Sequence, residues 1–211
     1  MRHIDKKDVP DSFKDFVKRK KPKKWEDIHQ YDFTDGMKEC RKHILEDEQM
    51  GLGGYTELPL SYDREDIHID HFRKRSLFNS ARDIFDWNNF IVDVHLKDKS
   101  YGADYKDDNI KDRDCYNNII NPIEEDPHHY FQYMENGDIA PQTGLSKVEK
   151  DKAVYTIDTF NLNHQHLRKR RSDIIELINF YSNENFSCDI IKDALISQGF
   201  LSVIEYYTEA Y

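Results

Sequence analysis

The spacing of apolar residues changes twice along this chain, and that change decides which folds are open to it. Phe13, Phe16 and Val17, then Met37, Cys40, Ile44 and Leu45, recur at helical spacing. Ile67-His-Ile-Asp-His-Phe72 alternates instead and carries β-branched residues, which predicts a strand. Leu167, Ile174, Ile175, Leu177 and Ile178 return to the helical period, as do Ile190, Ile191, Ala194 and Leu195 after Ser187. Helices at both ends of a small β-containing centre make an α+β pattern.

Local signals set the bounds. Asp11 or Ser12 caps a first helix reaching about Arg19, and Pro22 ends it; a second helix runs from Asp35 to Gln49 and stops at Gly51-Leu-Gly-Gly54. Asp86-Trp-Asn-Asn89 and the following Phe90-Ile-Val read as a loop or turn entering a short helix, although the period does not decide there. Lys97 to Asn118 is almost wholly polar and reads as an exposed loop with at most a short helix. Tyr130 to Met134, Gly137 and Ile139 predict a hairpin around Glu135-Asn-Gly-Asp138. Lys150 to Tyr155 is extended or helical. From Thr159, Asn161 or Asn163 caps a helix carried towards Tyr181, and another helix follows Gly199.

A length of 211 residues suits one domain, or one domain with a small appendage. No apolar run approaches the length of a membrane span, and the opening Met-Arg-His-Ile-Asp-Lys-Lys lacks the apolar stretch of a signal peptide, so a cytoplasmic location without membrane contact is expected. The three cysteines, Cys40, Cys115 and Cys188, are far apart and form neither a disulfide framework nor a Cys-x-x-Cys zinc site. A net charge of −10 argues against general polyanion binding. Basic residues are nonetheless bunched in Lys18-Arg-Lys-Lys-Pro-Lys-Lys24 and Arg168-Lys-Arg-Arg171. Each run is a solvated loop or helix face, or a contact for phosphates or an acidic partner.

The densest chemistry is His68-Ile-Asp70-His71, followed by Asp86-Trp-Asn-Asn89. In a strand His68 and Asp70 share one face and His71 takes the other, unless a turn at Asp70 lets them converge. Asp is a hard oxygen ligand for Mg²⁺, a neutral His accepts a proton from water, and an Asn nearby orients the imidazole. Together these are the parts of metal-assisted phosphodiester hydrolysis. His128, His129, His164 and His166 read as exposed histidines, and Asn163 as a cap.

His68-Ile-Asp-His-Phe-Arg-Lys-Arg-Ser76 with Asp86-Trp-Asn-Asn-Phe-Ile91 resembles the signatures of the HNH endonucleases of Septu and retron antiphage systems (PtuB-like). Further counterparts are Ile120-Asn-Pro122, Asp126-Pro127, Tyr130-Phe131, Gly137-Asp-Ile139 and Thr156-Ile-Asp-Thr-Phe-Asn-Leu-Asn163, so the resemblance covers about residues 1–178. It implies a helix-rich chain around a small ββα-metal (HNH) nuclease core. The implied organisation is an N-terminal helical segment over 1–50, the ββα core over 51–115, a hairpin and helix over 116–178 and a C-terminal helical tail over 179–211. The tail serves partner docking or packs on the chain's own core.

Relatives carry cysteine pairs around the catalytic strand, where this chain has Gly53 and Thr56 and, after the Asn motif, residues near Val94 and near Tyr101 or Gly102. No structural Zn²⁺ is expected, since a partial ligand set gains little. Packing by Tyr55, Leu58, Phe85, Trp87 and Phe90 is expected to hold the core instead. The resemblance implies His71 as general base, Asp70 as ligand of a catalytic Mg²⁺ or Mn²⁺, Asn89 as the residue that positions the base and His68 as support. Asp104 is the favoured last metal ligand, with Asp98 and His95 as alternatives, and Arg73, Lys74 and Arg75 are the expected phosphate contacts. The implied function is cleavage of nucleic acid, with DNA favoured over RNA, as effector beside an ABC-type ATPase (PtuA-like). The competing reading is a catalytically silent HNH-like adaptor that scaffolds the ATPase or binds nucleic acid.

Overall fold

The computed structural model describes residues 1–209. Among them, α1 (Asp11–Lys20), α2 (Asp27–Gln30) and α3 (Thr34–His43) precede a π-helical turn at Ile44–Glu48. Then come β1 (Ile67–His71), α4 (Ala81–Ile84), β2 (Phe90–Val94) and α5 (Gly102–Asn109), followed by β3 (Phe131–Tyr133) and β4 (Ile139–Pro141). The chain continues through α6 (Lys147–Thr159), α7 (Gln165–Asn183), α8 (Cys188–Leu195) and α9 (Leu201–Glu209). Two antiparallel two-stranded sheets, β1–β2 and β3–β4, sit among the helices, so the chain is α+β.

Three elements depart from the sequence reading. Phe90–Val94 is a strand preceded by a 3₁₀ turn at Trp87–Asn89, not a helix. All five of its residues are buried, so no alternation survives in the sequence to mark it. The polar stretch Lys97–Asn118 holds the short helix α5, but it is not wholly exposed: Tyr101, Ala103, Lys106 and Ile110 are buried. Its inward side is hard to read because one of the buried residues is a lysine. Neither Asp11 nor Ser12 caps α1, which starts after Pro10; it ends at Lys21 in the left-handed conformation.

The β1–β2 register pairs His68 with Asp93, Asp70 with Ile91, and His71 with Phe90. Paired residues share a face, so His68, Asp70 and Asp93 project to one side of the ladder and His71 to the other. On the His71 side, Phe13 packs on Trp87 and Phe90 with ring centroids 5.4 and 5.7 Å apart. On the Asp70 side, Tyr55 packs on Phe160 at 4.4 Å. Of the expected packing residues, Tyr55, Phe85, Trp87 and Phe90 are buried and Leu58 is half-buried.

What joins residues 53–56 to β2 is a buried carboxylate that the sequence reading did not single out. Asp93 Oδ2 accepts hydrogen bonds from the backbone N–H of Tyr55 (2.8 Å) and Thr56 (3.1 Å), and Oδ1 accepts from Thr56 Oγ1 (2.7 Å) and Val94 N–H (2.7 Å). A Cβ on Gly53 would lie 2.5 Å from Asp93 Oδ1, and one on Gly102 would lie 3.1 Å from Thr56 Cγ2. Gly53, Thr56 and Val94 therefore meet around the Asp93 carboxylate, and Gly102 packs against Thr56.

Asn163 does not cap a helix. Its amide clasps the backbone of Ile139 at 2.8 and 2.9 Å, and His164 caps α7. Arg171 is buried and donates to the Gly137 and Leu162 carbonyls. Arg168 pairs with Asp138, Lys169 with Asp173, and Arg170 donates to the Gln198 carbonyl, so this second basic run is structural. Of the apolar tail residues, Ile191, Leu195, Phe200, Leu201 and Ile204 are buried in the chain's own core, while Ile190 is exposed.

Candidate active site

A cavity of about 220 Å³ is lined by four consecutive β1 residues, His68 to His71, by His95, by Lys74 and Arg75 beyond the strand, and by Asp104 and Asp107 of α5. No β2 residue lines it, so it opens along the free edge of β1. That explains how His68, Asp70 and His71 meet without the turn considered for Asp70: an edge is reached from both faces of a strand.

His71 is buried, its ring wedged at 4.7 Å against Trp25 and 5.0 Å against Phe90. Nε2 lies 2.9 Å from the Ile84 carbonyl, which only accepts, so Nε2 carries the proton and Nδ1 keeps its lone pair. Burial pushes the ring's pKa down to about 4, against the opposing pull of the Ile84 carbonyl and Asp70. Asn89 makes no hydrogen bond to the imidazole. Its Oδ1 accepts from Arg73 N–H at 2.7 Å and its Nδ2 donates to the Arg73 carbonyl at 3.1 Å, while Phe72 N–H donates to the Asn89 carbonyl at 2.9 Å. Asn89 thus fixes the backbone just after His71 and is a positioning residue.

Asp70 Oδ2 accepts from Tyr55 Oη and from Lys106 Nζ, both at 2.6 Å. Oδ1 has no hydrogen-bond partner among the described residues. Lys106 is fully buried, and its other two protons go to the carbonyls of His71 (2.9 Å) and Phe72 (3.1 Å). All three ammonium donors are therefore spent. Asp107 Oδ1, only 3.1 Å from the same nitrogen, receives charge without a proton and is a sealed oxygen with no hydrogen bond. Burial works against the lysine's charge, but Asp70 and Asp107 outweigh it and hold the pKa above its ordinary value. Burial raises that of Asp107, with Lys106 opposing. Sequence reasoning assigned no role to Lys106 or Asp107; their one-residue spacing on a polar helix carries no signal for a shared buried charge.

Asp104, at the third position of α5, accepts from Leu96 N–H at 2.7 Å through Oδ2, and its Oδ1 lies 3.1 Å from His95 Nδ1. His68 packs edge-on to His95 at 5.2 Å, and its Nδ1 is sealed without a partner. His68, His95 and Asp104 offer ligand atoms all within 4.8 Å of one another, the one such set of three among the described residues. Asp70 is not in it and is already charge-paired. The structure therefore brings together Asp104 and one of its alternatives, His95, but not Asp70 with Asp104. Asp98 is exposed and accepts only from Ser100.

Of the expected phosphate contacts, Arg73 pairs with Asp86 at 3.1 Å, and Lys74 donates to the Asp107 and Ile110 carbonyls. Both are committed to the fold, because Lys74 ties the turn after β1 to the end of α5. Arg75 is exposed, lines the cavity and lies 5.2 Å over the Trp25 ring. The basic run Lys18–Lys24 ends at that same Trp25, and its lysines and arginine are exposed. His128 pairs with Glu205 and His129 with Glu149, while His164 and His166 pack on Tyr101. No helix among the described residues is long and apolar enough to cross a membrane. No protein-family model matches this chain, and no curated protein matches it as a relative.

Proposed function

We propose that this protein is a nuclease that hydrolyses phosphodiester bonds, with His71 as general base. The observation that carries the reading is the imidazole itself: buried, fixed by one acceptor through Nε2, left with an unprotonated Nδ1, and part of a cavity that carboxylates and an arginine also line. His71 Nδ1 takes a proton from a water molecule as its oxygen attacks phosphorus, and one P–O ester bond breaks. Asn89 and the Ile84 carbonyl keep the ring in place. Arg75 meets a phosphate oxygen at the cavity mouth, and the exposed Lys18–Lys24 run with Trp25 guides the flanking strand. A divalent ion, when bound, supplies positive charge for the phosphate. Its donors in this cavity are imidazoles and carboxylates, among them His68, whose Nδ1 is sealed without a hydrogen-bond partner.

The meeting of Gly53, Thr56 and Val94 around Asp93, with Gly102 against Thr56, supports membership of the HNH endonucleases of antiphage systems, whose cysteines fall at Gly53 and Thr56 and near Val94 and near Tyr101 or Gly102. In this reading the protein acts with an ABC-type ATPase, on DNA in preference to RNA. One observation favours the silent-adaptor reading: Asp70, the expected metal ligand, already holds the Lys106 ammonium. Incubating plasmid DNA and RNA with divalent ions, with and without the ATPase, separates the two. Cleavage that disappears in His71→Ala supports the nuclease; absence of cleavage under every condition, with the ATPase complex intact, supports the adaptor.

A further inference from the structure

Two stations lie side by side in the cavity. Along β1, His68 and Asp70 are two residues apart on one face; along α5, Asp104 and Asp107 are three apart and also share a face. Asp70 and Asp107 share the Lys106 ammonium, so this station contains its own cation. His68 and Asp104 have no such occupant. They meet His95, and His68 Nδ1 is sealed from solvent without a hydrogen bond. Asp104 is already held in orientation by Leu96 N–H.

We propose that His68, His95 and Asp104 form a binding site for a divalent transition-metal ion of the Mn²⁺–Zn²⁺ class, with little affinity for Mg²⁺. Two imidazoles and one carboxylate are borderline donors, whereas Mg²⁺ takes an all-oxygen, largely hydrated shell. Three protein ligands leave positions free for water or a phosphate oxygen. Lys106 is the permanent second cation, which relieves Asp70 of any need for a metal. As part of catalysis this rests on the nuclease reading above; as a binding site it is measured without substrate.

The test is titration of the full chain with Co²⁺, followed by visible absorption, with competition by Mn²⁺, Zn²⁺ and Mg²⁺. One Co²⁺ is expected per chain, displaced by Zn²⁺ at comparable concentration and by an excess of Mn²⁺, but not by the same excess of Mg²⁺. His95→Ala and Asp104→Asn are each expected to weaken binding at least tenfold, roughly what even an outer-shell change costs. His95 is exposed, and the amide oxygen introduced by Asp104→Asn still accepts from Leu96 N–H, so both variants are expected to fold. Asp70→Asn, or Asp107→Asn if the former does not fold, is expected to leave Co²⁺ affinity unchanged. Failure of the folded wild-type chain to bind Co²⁺ would overturn the proposal, as would loss of binding in Asp70→Asn with His95→Ala intact. A chain that binds Co²⁺ as described yet cleaves nothing supports this site while removing the nuclease reading.

Discussion

Asp93 and Asp70 stand on the same face of one two-stranded ladder, both buried, and they do opposite things. Asp93 accepts four hydrogen bonds from residues 55, 56 and 94, with no ion-pair partner among the described residues. Burial raises its pKa and those hydrogen bonds oppose the rise. Asp70 has one oxygen on Tyr55 and Lys106, and its other oxygen has no partner at a cavity. A saturated carboxylate is a cross-link; a half-saturated one beside a cavity is available for chemistry. Burial alone does not separate the two.

The largest effect is expected on the saturated side. Asp93→Ala leaves several buried donors unpaired at about 1–3 kcal/mol each, so denaturant unfolding should show a loss large enough to threaten folding. An Asp93→Ala chain as stable as wild type would dissolve the contrast. Asp70→Asn is expected to cost less, about 2–3 kcal/mol for a weakened charge-assisted contact, because Asp107 still faces the ammonium. Gly53→Ala is expected to cost about 1–2 kcal/mol by overpacking, and that cost should shrink but not vanish in an Asp93→Ala background, because the new Cβ would lie 2.6 Å from Thr56 Oγ1 as well as 2.5 Å from Asp93 Oδ1. A double-mutant cycle in urea measures the coupling.

The last effect is a pH dependence of stability. His71 has its pKa depressed by burial, so the unfolded chain binds more protons than the native one between about 4 and the ordinary value near 6.5. Stability is therefore lost as pH falls through that window. Replacing His71 by a neutral residue should flatten this slope, which unfolding curves across the window will show.

The helical ends and β1 were legible because their apolar spacing is regular, and the β3–β4 hairpin because its turn residues are explicit. β2 and α5 were not. Val92 and Asp93 are both buried on opposite faces of β2, which erases alternation, and the inward side of α5 includes a lysine whose charge is matched by partners remote in sequence. The site followed the same rule. His68, Asp70, His71 and Asn89 were found because they are close together in sequence, and Asp104 through the family resemblance. Asp107, Tyr55 and the Ile84 carbonyl act only through the fold. The Arg168–Arg171 run misled for the complementary reason: composition cannot tell a solvated arginine from Arg171, which burial holds at a pKa of about 10 while it binds backbone carbonyls.

The central claim, that buried His71 is the base of a phosphodiester-cleaving site, is tested most directly by the pH profile of kcat/KM for nucleic-acid cleavage in wild type and His71→Ala, with the metal fixed. The account predicts that wild-type activity falls on the acid side only near pH 4, where the imidazole becomes protonated. It also predicts that His71→Ala loses about 10²–10⁴-fold across the profile and no longer shows that limb. Cleavage by His71→Ala at the wild-type rate, with the same acid limb, would contradict it.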